Sequence, residues 1–84
     1  MTYEIKWGPA ALHVLRELPL HTAMLVDRAV LRFVEHGEGE IVDGGPYVYL
    51  RAGRHEAVLV VVPAEERVTV LHVLAYRKRA PRAP

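Results

Sequence analysis

"YVYLRAGRHEAVLVVVPAEERVTVLHVLAY", residues 47–76, reads as three strands divided by two turns. In the first run, 47–51, Tyr47, Tyr49 and Arg51 alternate with Val48 and Leu50, the period-two pattern of a half-buried strand. The runs 56–62 and 67–76 are apolar at odd and even positions alike, so both faces of their sheet call for cover. Pro63-Ala64-Glu65-Glu66 is a four-residue hairpin turn in which proline pre-sets the backbone, and Ala52-Gly53-Arg54-His55 joins the first two strands in the same manner.

Toward the N-terminus, "TYEIKW" places Tyr3, Ile5 and Trp7 on one side of a further strand. Gly8 and Pro9 suit the N-cap and first position of a short helix, whose stripe is Ala11, Leu12, Leu15 and Leu18. A second helix runs from about His21 to His36. Val26, Ala29, Val30, Phe33 and Val34 face a core, and Gly37 or Gly39 provides a left-handed cap. In "EGEIVDGG" Ile41 and Val42 are expected to pair only briefly. The fold class is α+β, in the order β-α-α-β-β-β, with a small antiparallel sheet and two N-terminal helices packed on one face. Two helices cover one face only, so the other is expected to present Val and Leu to a partner, either a second copy of the chain or a dedicated binding protein.

The 84 residues form one expected domain over 1–79, with 80–84 a short Pro/Arg tail. Cysteine, serine, asparagine and glutamine are all absent. That excludes disulfides, thiolate metal sites and Cys or Ser nucleophiles. The lack of thermolabile amides among many charged residues gives a thermophile-like composition, which a GC-rich genome would also produce. No apolar run approaches the roughly 18 residues of a membrane span, and the start has no leader pattern, so the cytoplasm is the expected location. The net charge of +1 divides unevenly. Arg77, Lys78, Arg79 and Arg82 lie in the last eight residues, leaving seven basic against ten acidic residues before them.

The order of elements, the opening "YEIKWGPAALHVLRELP", "YLRAGR" before an apolar strand and the ending "VTVLHVLAYRKR" together resemble the RelE/ParE superfamily of toxins from type II toxin–antitoxin systems. The resemblance covers Tyr3 to about Arg79. It implies the RelE/ParE-like fold and a cognate antitoxin whose peptide adds a strand or lays a helix into a groove. RelE-like members are ribosome-associated endoribonucleases that cut mRNA through the ribose 2′-OH without metal or other cofactor. ParE-like members act on DNA gyrase without that catalytic set. Arg51 matches the Arg that ends the stretch before the bend. Tyr47 and Tyr49 stand where the nucleases carry lysines, and His55-Glu56 where they carry an aromatic and then an Arg. Arg77 or Lys78 matches the Arg closing the last strand, although the ending is nearer in cadence to the ParE-like pattern.

Cleavage by the 2′-OH needs a base, an acid and positive charge at the phosphate. Some relatives use Glu, Arg and His, which makes Arg51, His55, Glu56 and Arg77 the catalytic candidates and keeps His72 beside them. His55 and Glu56 are neighbours, so in a regular strand only one shares a face with Arg51. Glu56 reads equally as a salt-bridge partner of Arg51, Arg54 or Arg67, and His72 as a structural histidine. Tyr47, Tyr49, Arg54, Lys78 and Arg79 are the RNA-binding candidates, through stacking and phosphate contacts. The five histidines lack metal-ligand spacing, so no metal is expected. Two functions remain open: an endoribonuclease inhibiting translation, or a non-enzymatic binder, whether gyrase inhibitor or degenerate toxin homologue.

Overall fold

Gly8 and Pro9 end the first extended segment for a backbone reason. Gly8 takes an extended N-cap conformation, and Pro9 occupies the first helical turn, where its absent N–H costs no hydrogen bond. A computed structural model describes residues 3–76, the side chain of Asp43 excepted. Glu4–Trp7 forms β1, Pro9–Glu17 forms α1 and Leu20–His36 forms α2. Pro19 separates the helices, and Gly37 caps the second with its N–H on the Phe33 carbonyl.

Four strands follow where three were expected. They are β2 (Ile41–Gly44), β3 (Tyr47–Ala52), β4 (His55–Val62) and β5 (Arg67–Ala75). Each pairs antiparallel with the next, and the sheet order is β1-β5-β4-β3-β2. Three hairpin reversals after β2 bring the last strand back beside β1 in the same direction. The two pair in parallel, from Glu4 beside Arg67 to Trp7 beside Val70, so the sheet is mixed rather than wholly antiparallel. The brief pairing expected at Ile41 and Val42 extends to Gly44 opposite Tyr47, which makes β2 a full edge strand. Ala52 pairs with His55, leaving Gly53-Arg54 as a two-residue turn. Gly53 has φ +63°, where a Cβ is disfavoured.

Both helices lie on one face of the sheet. Ala11 of α1 and Val26 and Val30 of α2 pack against Leu50, Ala57, Leu59, Val68, Val70 and Val73, all buried. Each large apolar side chain fully buried there contributes about 1.5–3 kcal/mol. Ala29, Phe33 and Val34 pack partly against the same core, as their helical spacing requires. Strand alternation sends Tyr49 and Arg51 of β3, Glu56, Val58 and Val60 of β4 and Leu74 of β5 to the face without helices. Of the doubly apolar strands Leu74 is 48% exposed on this face while Val58 is only 6% exposed, and Val42 of the edge strand β2 is 52% exposed. The β4–β5 ladder slips between Val58 and Leu59, where His72 and Val70 are their partners and Leu71 is the extra residue of a bulge.

Among the described residues no helix is long and apolar enough to cross a membrane. Arg77, Lys78, Arg79, Arg82 and the tail at 80–84 lie outside the described residues.

Candidate functional site

Arg51 and Glu56 are cross-strand partners on β3 and β4, both on the helix-free face. The two-residue turn at Gly53 fixes this register, because it makes Ala52 and His55 the closing pair. Leu74 of β5 lies on the far side of Glu56 in the same row. Glu40, just ahead of β2, completes the row. Its carbonyl accepts the Arg51 N–H at 2.9 Å, and its carboxylate lies 3.5 Å from an Arg51 guanidinium nitrogen.

The guanidinium of Arg51 is held from three directions. Besides Glu40, its Nε–H donates to the Gly53 carbonyl at 3.2 Å. Its Cζ lies 4.2 Å from the centre of the Tyr76 ring, a cation–π geometry. Glu56 is only 8% exposed. A carboxylate so shielded from water is costly unless positive charge or hydrogen-bond donors lie near it, and Arg51 on the neighbouring strand brings such charge into its row.

The next row toward the sheet centre carries Tyr49, Val58 and His72. His72 is exposed, and its strand position makes it a diagonal neighbour of Glu56, roughly 7–8 Å away backbone to backbone. Tyr47, Tyr49, Val58, Leu71, His72 and Leu74 surround a shallow depression of about 270 Å³. The face therefore presents a cation, a carboxylate and an imidazole in adjacent rows, beside two tyrosines and exposed apolar side chains.

His55 does not join them. Alternation turns it to the helix face, and the bulge at Val58/Leu59 lies too far along the strand to reverse it. There it borders a hollow of about 320 Å³ with His21, Thr22, Leu25, Gly53 and Arg54. Its Nδ1 is buried without a hydrogen-bond partner. Arg54 sits in the hairpin turn, away from the row of Arg51 and Glu56. A hollow of about 640 Å³ opens between α2 and the end of β3, and Arg51 lines it together with Arg28, Arg32, Glu35, His36 and Glu38. Leu25 and Leu31 also line this hollow, and within it Arg32 and Glu38 form an ion pair of 3.7 Å. The candidates Arg77, Lys78 and Arg79 lie outside the described residues. Among the described residues no group of His, Asp and Glu is arranged to hold a metal ion.

Glu40 and Tyr76 belong to the site without being candidates from the sequence. The pattern does point to Tyr76, which stands two residues beyond Leu74 and continues that alternation. Glu40 lies in a turn-rich segment with no periodicity to aim it.

The sequence matches no protein-family model, and no curated protein matches it significantly. Solved structures do. The chain superimposes on the E. coli RelBE toxin–antitoxin complex with a TM-score of 0.71 at 16% identity, over 90% of this chain and 99% of that one. Against the archaeal RelE–RelB complex of Pyrococcus horikoshii the TM-score is 0.73 at 14% identity, over 89% and 96%. Against the Mycobacterium tuberculosis RelBE2 complex it is 0.67 at 16%, over 90% and 100%. Likeness at such identities is one of fold, carried by the two-helix, five-stranded arrangement. Across nine-tenths of its length, the chain has the RelE toxin fold.

Proposed function

We propose that the protein is the toxin of a type II toxin–antitoxin pair and that its helix-free face cuts mRNA on the ribosome. The observation that carries this reading is the placement of Arg51, Glu56 and His72 in adjacent rows of one open face, within a RelE-type fold. In the proposed step Glu56 takes the proton of a ribose 2′-OH as its oxygen attacks the adjacent phosphorus. Arg51 stabilises the charge that builds on the phosphate, and His72 gives a proton to the departing 5′ oxygen. One P–O bond forms and one breaks, leaving a 2′,3′-cyclic phosphate and a free 5′-OH. Tyr47 and Tyr49 stand beside this set, where bases can stack. Arg77, Lys78 and Arg79 add positive charge for the phosphate backbone. The cognate antitoxin would cover the apolar part of the same face around Leu74 and Val42.

A second reading keeps the fold and drops the chemistry, leaving a gyrase inhibitor or a protein-binding relative. Glu40, Arg51 and Glu56 carry a net charge of −1 within their row, and Glu56 is largely shielded from solvent. Both features favour gripping a protein over holding a phosphate. Induced expression separates the readings. Translation arrest with mRNA cuts at fixed codon positions supports the nuclease, and induction of the DNA-damage response supports the gyrase target. Normal growth supports a toxin homologue without activity.

A further inference from the structure

The contact between Arg51 and Tyr76 has consequences for how the free face works. Arg51 is the cation of the site, and its long side chain starts from an exposed strand position with its Nε–H on the Gly53 carbonyl. Two further attractions act on its guanidinium from different sides. Glu40 draws it toward the β2 edge through an ion pair of 3.5 Å, in which the Glu40 side chain is 78% exposed. Such a solvated pair is weak and screened by salt. The Tyr76 ring holds it from the β5 side, with Cζ 4.2 Å from the ring centre.

The ring itself is anchored. The Tyr76 N–H donates to the Arg54 carbonyl at 2.8 Å, extending the β4–β5 pairing past Ala75. Arg54 belongs to the same turn whose Gly53 carbonyl accepts the Arg51 Nε–H. One tight hairpin therefore supports both the ring and the guanidinium that lies over it. With Nε–H on the Gly53 carbonyl and one terminal nitrogen near Glu40, the guanidinium has further N–H groups with which to donate to an anion such as phosphate.

We propose that Tyr76 is the positioning residue for Arg51. Its ring holds the guanidinium over the free face with donors available to an anionic ligand, and Glu40 opposes it as an internal counter-ion. The use of this arrangement for RNA phosphate rests on the reading given under Proposed function, whereas the positioning itself does not.

Two measurements on the full-length protein test it. The first observes the Arg51 Nε–H group by ¹H–¹⁵N NMR, its signal assigned by loss in Arg51→Lys. Tyr76→Leu is expected to remove a ring-current displacement of that signal, and Tyr76→Phe to keep it. An Arg51 signal indifferent to Tyr76→Leu, in a protein whose other amide signals show it folded, overturns the proposal whatever RNA does. The second measures single-stranded RNA affinity by anisotropy. Tyr76→Leu is expected to weaken binding about fivefold, Tyr76→Phe to restore it, and Glu40→Gln to strengthen it by a similar factor. In an Arg51→Ala background, Tyr76→Leu is expected to cost nothing more. An equal loss in both backgrounds overturns positioning through Arg51. If the NMR result holds and Arg51→Ala leaves RNA affinity unchanged, positioning stands and the RNA reading fails.

Discussion

Arg51 on β3 and Glu56 on β4 face each other directly across the ladder, opposite charges on the side of the sheet that both helices leave bare. The pairing follows from one tight turn, since a two-residue link at Gly53-Arg54 makes the third pair back from it Leu50 with Ala57 and the second Arg51 with Glu56. The same parity sends His55 to the opposite face, which divides the catalytic candidates between two sides of the molecule.

That division is testable residue by residue. Glu56→Gln and His72→Ala are each expected to lower cleavage of ribosome-bound mRNA by a factor on the order of 10². His55→Ala is expected to leave the cleavage rate within about threefold, because its ring borders the hollow near α2. Equal losses for His55→Ala and His72→Ala in a primer-extension assay would contradict the assignment of the free face.

The exposed apolar residues make a separate prediction about the partner. Val42→Glu and Leu74→Lys change side chains that are 52% and 48% exposed, and a lysine at 74 faces the Glu56 carboxylate across the ladder, so unfolding free energy should move by no more than about 0.5 kcal/mol each. Affinity for a co-expressed antitoxin should fall at least about tenfold, read by calorimetry. Unchanged affinity would mean that the antitoxin covers some other surface.

Leu59 is fully buried at the centre of the sheet, under the helices. Leu59→Ala is expected to cost about 2–5 kcal/mol, seen as a lower urea midpoint at constant slope. A small domain has little stability to spare, so the variant should be largely unfolded at 37 °C unless the antitoxin is bound.

Gly53→Ala probes the turn that aligns Arg51 with Glu56. An added Cβ would come no nearer than 3.8 Å to Leu25, so space is not the obstacle. The φ of +63° is, and the substitution should cost about 1–2 kcal/mol in a denaturant titration. A neutral result would show that the turn relaxes without loss.

Much of this was readable from local pattern, for identifiable reasons. Alternation in 47–51 and the apolar runs at 56–62 and 67–76 gave strands, while Val26, Val30 and Phe33 gave the buried stripe of α2. Parity alone predicted that His55 and Glu56 could not both join Arg51. The parallel pairing of β1 with β5 was not readable, because it depends on where three reversals return the chain. The edge strand β2 was only half apparent, since Gly and acidic residues surround Ile41 and Val42. The bulge at Leu71 has no local signature in "VTVLHVL", yet it sets which residues of β5 face the site. Glu40 meets Arg51 through tertiary geometry that no periodicity encodes, whereas Tyr76 continues the alternation that carries Leu74.

The most direct test of the free face as a nuclease site uses purified protein, ribosomes and a short defined mRNA, with the cut ends mapped at nucleotide resolution. The expected result is codon-positioned cleavage leaving 2′,3′-cyclic phosphate and 5′-OH ends, reduced on the order of 10²-fold in a folded Arg51→Ala variant. Cleavage undiminished by Arg51→Ala, or intact mRNA with the wild-type protein, would contradict it.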